Sequence, residues 1–172
     1  IQGPLKRYSQ EENPYIKAFW KWLPELKNDL EVLRVTGGEP LLAKETNELL
    51  EVLQKIDFKK LSLSINTNLC LPDKILDTFI EKSKSILKAK KIKSFDLFVS
   101  VDTYGKQAEY IRKGLDYDLF IKNVKRFCEE LPNGRVIIMC TYNVLSIVGF
   151  KKLLEEVLEL KKSYGNLVLD LS

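Results

Sequence analysis

The stretch LRVTGGEPLLAKET, from Leu33 to Thr46, sets two adjacent glycines, a carboxylate and a proline between an apolar strand-like segment and a helical pattern. Glycine adopts backbone conformations that other residues avoid, and without a side chain it lets a ligand approach the main chain closely. Gly37 and Gly38 therefore mark a binding turn at a strand end, with the Glu39 carboxylate beside them and Pro40 opening the next helix. A phosphate seated at that helix start is one use of such a turn, but Glu39 would repel it. Polar side chains recur at alternate positions elsewhere. Ser62, Ser64, Asn66 and Asn68 share one face of a segment whose other face is Leu61, Leu63 and Ile65. Ser100 and Asp102 oppose Leu97, Val99 and Val101, and Asp170 and Ser172 oppose Leu167, Leu169 and Leu171. Thr141 and Asn143 share one face at the end of a further segment.

These residues need elements to hold them. Strands are expected over Leu30–Thr36, Lys60–Asn66, Phe95–Asp102, Arg135–Asn143 and Asn166–Ser172, with amphipathic helical patterns between them. A further helix, NPYIKAFWKWLPEL, precedes the first strand, with Asn13 as its cap and Pro14 at its first position. Strand–helix–strand repetition implies an α/β fold with a parallel sheet. Strands covered by helices on both faces are nearly continuous apolar runs, and closed barrels fill their interior with branched apolar side chains. The polar face described above fits neither. It fits an open or partial barrel whose C-terminal mouth holds a polar ligand.

The 172 residues are 45% hydrophobic with net charge +4, which suits one domain over 1–172 and excludes a disordered or fibrous chain. No apolar run is long enough for a membrane span and no signal-peptide pattern opens the chain, so a cytoplasmic protein is expected. The lysines of KSKSILKAKKIKS, Lys82 to Ser94, read as a solvated helix face and turn rather than a nucleic-acid patch, since no arginine or aromatic is interleaved. Cys70, Cys128 and Cys140 are too widely spread for a disulfide framework or a metal motif.

Taken in order, GGEP, NTN, SVD and EYIRKG after consecutive strands resemble the radical S-adenosylmethionine (SAM) superfamily, especially its members with a twitch-like extension. The resemblance implies a partial parallel (β/α)6 TIM-like barrel with the first strand missing from this chain, and SAM and a 4Fe-4S cluster as cofactors. It implies that Gly37, Gly38 and Glu39 receive the cofactor's ammonium through carbonyl and carboxylate acceptors, followed by Pro40. It assigns Asn66, Asn68, Ser100 and Asp102 to ribose, adenine or substrate, Arg112 to the cofactor's carboxylate, and Asn143 to adenine or substrate. The family's CxxxCxxC motif is not in this sequence, so a fragment of a longer protein is expected, inactive by itself. In full-length form the expected activity is reductive cleavage of SAM to a 5′-deoxyadenosyl radical. An electron donor and a peptide, nucleic-acid, sugar or small-molecule substrate would be its partners. The alternatives are a non-catalytic barrel that binds SAM or a peptide, and an unrelated α/β enzyme using the glycine turn as an anion site.

Overall fold

In a computed structural model, residues 13–171 are described. The first helix, α1 (Pro14–Trp22), begins where Asn13 accepts a hydrogen bond from the Tyr15 amide at 2.9 Å, and a 3₁₀ stretch, Leu23–Asn28, continues it. The strands follow as β1 (Val32–Val35), β2 (Phe58–Thr67), β3 (Ile92–Ser100), β4 (Arg135–Cys140) and β5 (Leu167–Leu171). Between them lie α2 (Lys44–Lys55), α3 (Asp73–Lys88), α4 (Gly105–Ile111), α5 (Tyr117–Glu130) and α6 (Ile147–Ser163). All neighbouring strands pair in parallel, in the order β1-β2-β3-β4-β5. Spatial order equal to chain order means that the sheet winds in one direction, as a TIM-like barrel does, and stops as an open arc of five strands among the described residues.

One face of that arc carries the core. Leu61, Ile65, Leu97, Val99, Val136 and Ile138 are each 0% exposed. They pack beneath the helices with Leu53, Leu76, Phe120 and Leu153, and Phe79, Phe95 and Phe127 form a ring cluster with centroids 6.0–6.1 Å apart. Burying each such side chain stabilises the fold by about 1.5–3 kcal/mol. The alternation expected of β2 is observed: Leu61, Leu63 and Ile65 are buried, whereas Ser62, Ser64 and Asn66 on the open face are half-buried.

The open face is less polar than the serines and asparagines alone imply. Register aligns Asn66 with Phe98, Phe98 with Ile137, and Ser100 with Met139, so three apolar side chains stand among the polar ones. Their positions follow the same two-residue alternation. The strand ends also differ from expectation. β3 stops at Ser100 and β4 at Cys140, which moves Asp102, Thr141 and Asn143 into loops. In β5, Leu167 is buried but Leu171 is exposed; Ser172 lies outside the described residues. The lysine-rich segment is held by ion pairs to neighbouring elements: Lys82–Glu51 at 2.7 Å, Lys84–Glu130 at 2.6 Å and Lys91–Asp57 at 2.6 Å.

Candidate active site

Parallel strands deliver all their C-terminal ends to one edge of the sheet, and there the chain turns at Gly37–Glu39, Thr67–Cys70, Val101–Tyr104 and Thr141–Ser146. Gly37 and Gly38 have φ of +96° and +56°, left-handed values that strain any residue with a side chain. Among the described residues a Cβ at either would meet nothing within 4 Å, so conformation rather than crowding demands glycine and no described side chain fills the space over the turn.

Glu39 caps the short 3₁₀ turn Pro40–Leu42, its Oε1 accepting from the Leu41 amide at 3.2 Å. The same oxygen accepts from the Thr67 hydroxyl at 2.7 Å, and Oε2 accepts from the Asn68 amide at 2.9 Å. The carboxylate thus ties the end of β1 to the end of β2. A carboxylate has about four acceptor sites, so among the described residues roughly one, on Oε2, stays available to a ligand. Thr67 shares the parity of Leu61, Leu63 and Ile65 and is not among the residues the sequence singles out. A hydroxyl only 4% exposed must find partners, and it donates to Glu39 while accepting from the Leu69 amide at 2.9 Å. Asn123, fully buried on α5, donates to the carbonyls of Leu69 and Leu71 and so anchors this loop from below.

The two asparagines of the NTN stretch part company. The exposed Asn68 turns its Oδ1 to the Cys70 amide at 2.9 Å, and only its main chain reaches Glu39. Asn66 lies on the open face, accepting from Arg34 Nε at 2.9 Å and donating weakly toward the Met139 sulfur at 3.6 Å. Ser100 sits half-buried on the same face, one strand across.

Asp102 and Arg112 form a bidentate pair, Nε to Oδ2 at 2.8 Å and Nη2 to Oδ1 at 3.0 Å. Asp102 also accepts from the Thr141 amide at 3.2 Å, which bridges the loops after β3 and β4. The guanidinium keeps its Nη1 edge free of these bonds. Asn143 is spent on its own loop: Oδ1 accepts from the Leu145 amide at 2.9 Å and Nδ2 donates to the Thr141 carbonyl at 3.1 Å. The candidates therefore gather into a glycine–glutamate corner, an open-face cluster and an aspartate–arginine pair, whereas the Asn143 side chain bonds only within its own loop among the described residues.

The Radical SAM superfamily profile matches residues 12–163. The chain belongs to the Radical SAM superfamily. No curated protein shows significant similarity to it. As a superfamily member it is of an enzyme family that typically uses SAM and a 4Fe-4S cluster.

The described cysteines do not suit that cluster. Cys70 follows β2, Cys128 lies in α5 and Cys140 ends β4, and among the described residues no group of three His, Cys, Asp or Glu side chains could hold a metal ion. Burial pushes the Cys128 thiol up to about 12 and the Cys140 thiol up to about 11, while Cys70 also moves up for the same reason. Iron binds thiolate, and these environments favour the thiol. No helix among the described residues is long and apolar enough to cross a membrane.

Proposed function

We propose that this chain is the core of a radical SAM enzyme that binds SAM at the C-terminal edge of β1–β4. In a full-length protein supplying three cysteine thiolates it would work with a 4Fe-4S cluster and an electron donor. The observation that carries the reading is the Gly37–Gly38–Glu39 corner, with open space above left-handed backbone and one acceptor site left on a carboxylate held in place by Leu41, Thr67 and Asn68. An ammonium fits that corner, because a charge-assisted hydrogen bond to a fixed carboxylate loses little side-chain entropy on binding. Arg112, oriented by Asp102, offers its remaining N–H groups to the cofactor's carboxylate. Bound SAM would supply the 5′-deoxyadenosyl radical chemistry of the superfamily, and the chain's own residues bind and orient it. Its substrate would be a peptide, a nucleic acid or a small molecule, and its site of action would be the cytoplasm.

A second reading, a barrel that binds SAM without redox chemistry, is favoured by one observation: the three described thiols stand apart, and burial holds them neutral. Calorimetric titration with SAM tests the shared step. Glu39→Gln is expected to weaken binding by about 1.5–3 kcal/mol, the worth of a charged hydrogen bond. Unchanged affinity in a folded variant would remove Glu39, and with it the glycine corner, from the binding site.

A further inference from the structure

Arg34 stands on the open face of β1, level with Ser64 of β2. Its Nε donates to Asn66 Oδ1 at 2.9 Å, its Nη2 lies 3.8 Å from the Met139 sulfur, and its guanidinium carbon sits 4.5 Å from the centroid of the Phe98 ring. All three partners are uncharged. Arg112, Arg126 and Arg135 each pair with a carboxylate, Asp102, Asp77 with Glu130, and Asp96 respectively, whereas Arg34 forms no ion pair among the described residues. A flexible surface arginine would wander, but this one is stacked on an aromatic face and tethered by an amide from the next strand. That hold leaves the Nη1 edge without a hydrogen-bond partner among the described residues. A planar fork kept in one orientation, on a floor that includes Phe98 and Met139, recognises a planar or tetrahedral anion with little ordering cost.

We propose that Arg34 is an anion-binding residue, and that the molecule acted on at this face carries a carboxylate or phosphate group that seats on its guanidinium. This rests on the reading of the C-terminal edge and open face as a SAM-dependent site. Asn66 acts here as a positioning residue that sets the plane of the guanidinium, and Phe98 and Met139 offer apolar support to the carbon body beside the anion.

Met139 is the single methionine of the chain, so a ¹³C-methyl methionine label gives one resonance beside Arg34. Titration with phenyl phosphate, phenylacetate and benzyl alcohol is expected to shift that resonance saturably with the anions and not with the neutral alcohol. Whichever anion binds more tightly names the headgroup. Arg34→Gln should weaken anion binding by about tenfold or more, and Arg34→Lys, which keeps charge but loses the fork, by less. SAM affinity should stay within about twofold in Arg34→Gln, a change below 0.5 kcal/mol on the scale of tenfold per 1.4 kcal/mol. Equal shifts with benzyl alcohol, no response to either anion, or undiminished anion binding by Arg34→Gln would overturn the proposal. So would a tenfold loss of SAM affinity in Arg34→Gln, which would make the anion the cofactor's own carboxylate. An intact anion response without Glu39-dependent SAM binding would sink the enzyme reading instead, so the two failures are separable.

Discussion

Arg112 and Asp102 meet through two parallel hydrogen bonds, and their burial is unequal: the aspartate side chain is 8% exposed and the arginine 36%. The inequality sets an order of effects. Arg112→Gln strands a buried carboxylate and is expected to destabilise the chain by about 3 kcal/mol, as breaking a buried pair does. Asp102→Asn leaves a guanidinium that reaches water, at a cost of about 1–2 kcal/mol. Denaturant unfolding of both variants checks the order; equal effects, or a larger loss in Asp102→Asn, would contradict it.

Gly149, in the first turn of α6, permits a close approach to the loop after β3. A Cβ there would collide with Thr103 Oγ1 and lie 2.7 Å from Gln107 Oε1 and 3.3 Å from the Tyr104 amide nitrogen. Thr103 is fully buried and donates to the Ser146 carbonyl at 3.0 Å, so it has no room to retreat. Gly149→Ala is expected to lower stability by about 1–3 kcal/mol through overpacking, despite alanine's better helix propensity. A thermal midpoint at or above that of the native chain would contradict this packing.

Titration of the thiols gives a pH dependence. In the unfolded chain they ionise near 9, but in the folded chain Cys128 is raised to about 12 and Cys140 to about 11 by burial. Between those values the unfolded state has released protons that the native state retains, so stability is full below pH 9 and falls as pH rises toward 11–12. Replacing Cys128 and Cys140 together by alanine should flatten the decline between pH 8.5 and about 10.5 seen by urea unfolding. An unchanged slope would assign the loss to other groups.

Reconstitution addresses the cluster. Incubated anaerobically with iron and sulfide, this 172-residue chain is expected to hold no stoichiometric four-iron cluster and to yield no 5′-deoxyadenosine from SAM. A longer form of the protein bearing CxxxCxxC should do both. Radical product from the short chain would mean that Cys70, Cys128 and Cys140 converge in a way the described fold does not show.

The sequence by itself determined the class of fold and the corner where chemistry is to be sought. Alternation in LSLSIN and the helical period of the segments between strands depend on local periodicity, which survives translation into structure because buried faces must be apolar. GGEP was legible for the same local reason: consecutive left-handed backbone needs glycine wherever it occurs. Tertiary structure decided what each polar group spends its hydrogen bonds on. Arg34 and Asn66 are 32 residues apart, and only the pairing register of β1 with β2 brings them together on the open face. Thr67 became a partner of Glu39 because the ends of neighbouring parallel strands coincide at one edge, 28 residues apart in sequence. Asn143 and Asn68 kept the right composition for ligand contact, yet their loops turned the side chains back onto the main chain. Buried or half-buried polar atoms take the nearest geometrically available partner, and which partner is near is fixed by register and loop path, neither of which local sequence encodes.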